Sequence, residues 1–213
     1  MKLCLIYLHD KPLTEGVTKK HFDLLSLHNP EAAVYPVTFR LLRDYLPNDF
    51  TIPYDKEWWY CDMAMYLFFR MCSKSFDRYM LIEYDTFCNV DIAKHFIHEF
   101  SQASVVCSTP QYRDWPGYTH HIPPDEYRKD YDTFFAGATP ACGIIHTHDS
   151  LKRTTDVVFS HPMFKFLPHE IRAGTAAAMA GFPLVPYLPE NAINMQWSPL
   201  TPTGYGLFHP VKQ

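Results

Sequence analysis

The feature that most constrains this chain is a short run, Tyr79-Met80-Leu81-Ile82, that is apolar at every position and passes without a turn into Glu83-Tyr84-Asp85-Thr86. A strand with one face in water alternates apolar and polar residues. A run apolar on both faces fits a strand covered on both sides, the pattern of mixed or parallel sheets in α/β proteins. Ligands of such sheets bind beyond the carboxyl ends of the strands, which is where Glu83 and Asp85 stand. Alternation along an extended chain puts these two side chains on the same side, with Tyr84 opposite, so both can face one cation. Hard oxygen ligands favour Mg²⁺ or Mn²⁺, especially where a substrate phosphate completes the shell. The plain alternative is a solvated strand end with two unrelated acids.

Strand-like runs at Leu3 to Leu8, Val34 to Phe39, Tyr79 to Ile82 and Ser104 to Cys107 alternate with helix-like segments, which predicts an α/β layer fold. Helical spacing of apolar residues marks Trp58 to Cys72. Asn89 is placed to cap a helix over Val90 to Phe100, and Glu170 to Ala180 is a further helix, stopped by Gly181 and Pro183. Between Thr109 and Asp132 the composition shifts to Pro, Tyr, His and charge, which predicts a long functional loop. No repeat or linker divides the chain, so the expectation is one domain over residues 1–213.

The composition narrows the classes of function. A chain of 213 residues, 47% hydrophobic and 16% aromatic, can bury a sizeable core. A net charge of -4 without a basic stripe argues against nucleic acid as partner. The N-terminal apolar run is cut short by His9-Asp10-Lys11-Pro12, and no later run is long enough to span a bilayer; the expectation is a soluble, cytoplasmic protein without a transmembrane segment. Six cysteines occur without a C-x-x-C pair, several in apolar segments, and read as buried free thiols.

Three further elements follow the acidic triplet in order: Ala136-Gly137-Ala138-Thr139-Pro140-Ala141-Cys142-Gly143-Ile144-Ile145, then Pro168-His169-Glu170 opening His169 to Thr175, then Phe208-His209-Pro210-Val211-Lys212. With Glu83-Tyr84-Asp85 this order resembles the GT-A-fold glycosyltransferase superfamily, in turn its acid-x-acid triplet, its glycine-containing loop and strand, its acceptor-side acidic motif and its C-terminal histidine segment. The first acid here is Glu where that superfamily usually has Asp, and the chain is short for it. The resemblance implies a GT-A-like (Rossmann-like) three-layer α/β fold, with a central mixed, mostly parallel sheet flanked by helices. It implies transfer of a sugar from a nucleotide-sugar donor, with a UDP-sugar the first expectation, to a carbohydrate or glycoconjugate acceptor with Mn²⁺ or Mg²⁺.

On that reading Glu83, Asp85 and His209 hold the cation, Lys212 pairs with a phosphate oxygen, and Gly137 and Gly143 admit the donor sugar close to the backbone. Glu170 is the base of an inverting reaction; in a retaining one that role disappears. A carboxylate at a helix start is also favoured by the helix dipole, so capping is the rival role for Glu170. His9, Asp10, and Trp58-Trp59 with Asp62 are candidates for the nucleotide base and ribose. Tyr112, Trp115 and Tyr118 suit stacking on an acceptor sugar. Two other classes compete. His146-Thr147-His148-Asp149 after an apolar strand has the residue types of a zinc-dependent hydrolase, and a catalytically silent carbohydrate-binding protein would keep the fold.

Overall fold

The computed structural model describes residues 1–47, 50, 60–108, 122–191, 193–195 and 199–212, the side chains of 41–43 and 195 excepted. In chain order the elements are β1 (Leu3–His9), α1 (Gly16–His28), β2 (Ala33–Thr38), α2 (Phe39–Tyr45), α3 (Met63–Met71), β3 (Arg78–Glu83), β4 (Phe87–Cys88), α4 (Ile92–His95), α5 (Ile97–Gln102), β5 (Val105–Cys107), α6 (Arg128–Phe134), β6 (Ile145–Thr147), α7 (His148–Ser160), α8 (His169–Met179), β7 (Leu184–Pro186), β8 (Asn194–Met195) and β9 (Leu207–His209).

Every residue of β1 is buried, as is Tyr79 through Ile82 of β3, because helices cover both faces of the sheet. Alternate residues of these strands feed two separate cores. Cys4, Ile6, Leu8, Tyr79 and Leu81 pack with α3, α7 and α8, whereas Leu3, Leu5, Tyr7, Met80 and Ile82 pack with Leu25 of α1, Ile92 of α4 and Phe100 of α5. The strand order is β2-β1-β3-β6-β5-β7. β1 runs parallel to β2 and β3, and β5 parallel to β7, with β6 antiparallel between the two groups. The sheet is therefore mixed and mostly parallel, in the three-layer arrangement the sequence implies.

A second sheet, β4-β9-β8, lies beyond the end of β3. It returns the C-terminal segment to the acidic triplet: Phe87 pairs with Phe208, and the Val211 amide donates to the Asp85 carbonyl at 2.7 Å. The helix expected over Val90 to Phe100 is broken into α4 and α5 and is capped by Asp91, whose carboxylate accepts from the Lys94 amide at 3.2 Å. Asn89 instead ties down the C-terminal turn, its side chain accepting from Gly206 N and donating to Gly204 O. The loop expected between Thr109 and Asp132 gives way at its end to α6, which Arg128 and Asp132 brace at i, i+4; residues 109–121 lie outside the described residues. Among the described residues no helix is long and apolar enough to cross a membrane.

A candidate cation site at the end of the third strand

β3 ends at Glu83, where a turn closed by the Thr86 amide on the Glu83 carbonyl (2.9 Å) swings Asp85 back toward the strand end. The Tyr84 carbonyl at the centre of this turn lies 3.0 Å from the Tyr7 hydroxyl of β1 and 3.1 Å from Nδ1 of His21 on α1. Asp85 is 5% exposed. β9 brings His209 over the same point: Nε2 lies 3.0 Å from Asp85 Oδ1 and 3.3 Å from Glu83 Oε2. Lys212 adds its Nζ at 3.2 Å from Asp85 Oδ2. Four residues chosen from the sequence, and spread over 130 positions of it, are thus brought into one cluster.

The electrostatics follow from this crowding. Burial pushes the Asp85 carboxyl up, but the close approach and charge of His209, and then of Lys212, outweigh it and hold the group below its ordinary value. Burial pulls the His209 imidazole down, yet Cys142, Asp85 and Glu83 together leave it pushed up to about 12. Cys142 is itself raised to about 11 by burial, and so is a neutral thiol at neutral pH; the two carboxylates then carry the effect on His209. The His209 imidazolium and the Lys212 ammonium together neutralise this acidic pair.

Asp85 Oδ1 and His209 Nε2 are both buried, and the 3.0 Å between them is within hydrogen-bond reach. Neither atom, however, has a partner in hydrogen-bonding orientation. The two groups are thus ion-paired but not hydrogen-bonded, and once the imidazole gives up its proton a cation between them would be held by both. The donor set of two carboxylates and one imidazole suits Mn²⁺, and Mg²⁺ less closely because of the nitrogen.

A second group of functional candidates opens α8. Glu170 is 6% exposed, and its Oε1 lies 3.1 Å from His169 Nε2 while Oε2 is buried with no hydrogen-bond partner. Burial raises the Glu170 carboxyl, but the charge and hydrogen bond of His169 hold it below the ordinary value. Burial likewise lowers His169, and the charge of Glu170 reverses this and raises it to about 8. Glu83 and Asp62 contribute to the raised value of His169, and Cys61 senses Glu83, Asp62 and Glu170 together. The α8 pair therefore shares one electrostatic environment with the triplet.

The glycine loop lies against β3. Gly143 donates its amide to the Leu81 carbonyl at 2.6 Å, and its φ of 82° is in the left-handed region. The positive φ requires glycine; a Cβ there would also meet the Ile193 Cδ1 methyl at 2.0 Å and push it aside. Gly137 also has a positive φ, 90°, and its carbonyl faces Gly174 of α8, where a Cβ would stand 3.4 Å from it.

Other expected residues are placed differently. His9 ends β1 at the same edge as the triplet, with Nδ1 hydrogen-bonded to the Lys11 carbonyl at 2.8 Å, and Asp10 beside it is exposed. Asp62 is fully buried, paired with Arg172: Nη2 lies 2.5 Å from Oδ1 and Nε 2.9 Å from Oδ2. Trp58, Trp59, Tyr112, Trp115 and Tyr118 lie outside the described residues. The proposed zinc triad does not assemble. β6 ends at Thr147, whose Oγ1 caps α7 by accepting from the Ser150 amide, so His148 and Asp149 become exposed first-turn residues. His146 is buried on the strand, where burial lowers it to about 3, and His148 contacts Tyr79 instead.

Sequence reasoning missed Cys142, His169 and Arg172. Cys142 and His169 are direct neighbours of residues that it did select, Gly143 and Glu170. Arg172 lies three positions into α8, and nothing in its sequence context marks it as the partner of Asp62.

No family model matches this sequence, and no curated protein sequence matches it. Solved structures do. Mouse xyloside xylosyltransferase 1 in its apo form superposes with a TM-score of 0.50 at 11% identity, over 88% of this chain and 85% of that one. The glycosyltransferase GlyE of Streptococcus pneumoniae gives 0.43 at 10% identity, over 87% of this chain and 45% of that one. The galactosyltransferase LgtC, in complex with donor and acceptor sugar analogues, gives 0.45 at 7% identity, over 86% and 72% of the two chains. The fold is GT-A-like, as the xylosyltransferase likeness and the sheet topology agree. At such identity the likeness extends to the fold alone.

Proposed function

We propose that this chain is a metal-dependent glycosyltransferase, moving a sugar from a nucleotide-sugar, in the first place a UDP-sugar, to an acceptor hydroxyl. The observation that carries this reading is the convergence of Glu83, Asp85 and His209 at the end of a strand buried on both faces, with one imidazole nitrogen 3.0 and 3.3 Å from two carboxylates. These three residues would hold Mn²⁺ or Mg²⁺, and Lys212 at the open rim would pair with a phosphate oxygen. The cation, when bound, neutralises the diphosphate and so stabilises it as a leaving group. Glu170 Oε2 is the proton-accepting atom on the acceptor side if the reaction inverts. Its buried partner His169 orients it through Oε1.

The direct test is Mn²⁺-dependent binding of UDP, measured by calorimetry on the unaltered chain and on Asp85→Asn. Loss of this ligand is expected to weaken the metal-dependent part of the affinity by at least the roughly 10–100-fold typical of disturbed metal sites. Equal affinity in the two proteins, or equal affinity with and without Mn²⁺, would overturn the proposal.

A further inference from the structure

The turn that carries Gly143 also fixes the residue before it. With Gly143 N on the Leu81 carbonyl, and the Gly143 carbonyl accepting from the Tyr187 hydroxyl, Cys142 has little freedom to move, and it is 1% exposed. Its sulfur lies 3.1 Å from Thr86 Oγ1 and within reach of the Glu83 backbone amide. Both contacts can stabilise a thiolate. The Cys142 Sγ, a Glu83 carboxylate oxygen and a His209 ring nitrogen all lie within 4.8 Å of one another. Donors about 2.0–2.3 Å from one tetrahedral ion stand about 3.5 Å apart, so side-chain shifts of about an ångström gather these three donors on one centre. A further observation points to the same centre: Asp85, 5% exposed, turns Oδ1 to within 3.0 Å of His209 Nε2, an ion pair outside hydrogen-bonding orientation.

We propose that Cys142 is a ligand of this site, so that with Glu83 and His209 it forms a sulfur, oxygen and nitrogen set that selects a borderline or thiophilic divalent cation over Mg²⁺. The inference rests on the reading of this cluster as a cation site and deepens it by naming the class of cation. Thiolate prefers Zn²⁺, Cd²⁺ or Co²⁺, while Mg²⁺ is held by oxygen. On binding, the Cys142 S–H and His209 Nε2–H bonds break, sulfur–metal and nitrogen–metal bonds form, and two protons pass to solvent; no electron is transferred. Asp85 remains available as a fourth donor, which would complete a tetrahedral shell.

The test uses the whole chain, stripped of metal by chelation and titrated with Co²⁺. A sulfur-to-cobalt charge-transfer band is expected to grow to one equivalent and to be absent in Cys142→Ser. Cys72→Ser, which alters the half-buried thiol away from the cluster, is expected to keep it. Zn²⁺ affinity is expected to fall at least about tenfold in Cys142→Ser, with Mn²⁺-dependent UDP binding changed less. Should the variant not fold, cadmium NMR on the unaltered chain reads sulfur ligation directly. A Co²⁺ complex without the band, a band undiminished in Cys142→Ser, or a cadmium resonance typical of oxygen and nitrogen ligands would overturn the inference. If UDP still binds with Mn²⁺ under any of those results, only the role of Cys142 falls; if neither cation nor UDP binds, the transferase reading falls with it.

Discussion

Asp62→Ala separates a structural from a ligand-binding role for an expected site residue that the fold buries completely. Its carboxylate and the Arg172 guanidinium are both 0% exposed, and two contacts of 2.5 and 2.9 Å join them. Removing one partner of a buried pair typically costs about 3–5 kcal/mol, because the other charge stays in the interior uncompensated. Arg172 would still donate to the Phe164 and Leu167 carbonyls at 3.2 and 2.6 Å and lie 4.7 Å over the Tyr60 ring. Those contacts place the expected loss at the lower end, about 3 kcal/mol. For a chain of this size, where each kcal/mol shifts the midpoint by roughly 2–4 °C, the melting temperature should fall by roughly 6–12 °C. Arg172→Leu should cost more, since it leaves a carboxylate in a region already holding Glu83 and Glu170. The double variant should recover part of the loss, because an apolar pair needs no compensation. Thermal melts of the three variants, with UDP affinity measured on each, decide the matter. A loss under about 1 kcal/mol for both single variants would refute the reasoning, and a loss of UDP affinity at unchanged stability would return Asp62 to the nucleotide site.

The remaining predictions concern α8. Glu170→Gln keeps size and helix start but cannot take a proton, so an inverting enzyme should lose roughly 10²–10⁴-fold in turnover with donor affinity nearly unchanged; a capping role predicts a stability loss of about 1 kcal/mol or less with normal turnover. His169, raised from 6.5 to about 8, contributes stability that is complete below its unfolded value and is lost as pH rises through about 8. The stability gap between the unaltered chain and His169→Gln should therefore narrow between about pH 6 and pH 9, and a gap that widens would contradict the pairing with Glu170.

What the sequence disclosed and what it hid differ in physical kind. β1 and β3 were legible because burial on both faces forces apolar residues at every position, and no solvated strand tolerates that pattern. The small sheet was not: β4, β8 and β9 are two or three residues long, too short to show any period, and their pairing depends on a chain return across more than a hundred residues. The expected cluster shows the same division. The acidic pair announces itself through position on a strand, whereas His209 came only from resemblance, since one histidine near a chain end has no pattern of its own. His146 and His148 failed as a pair for a local reason: Thr147 is a better cap than a strand residue, and a strand that ends between two alternating side chains no longer keeps them on one face. Asp62 and Arg172 mark the deeper limit. Each reads as an ordinary helix charge, and only the tertiary fold sets their charges against each other across 110 residues, both fully buried. A buried charge of this kind is legible from sequence only when its partner is, and ion-pair partners, unlike capping or strand residues, have no fixed spacing.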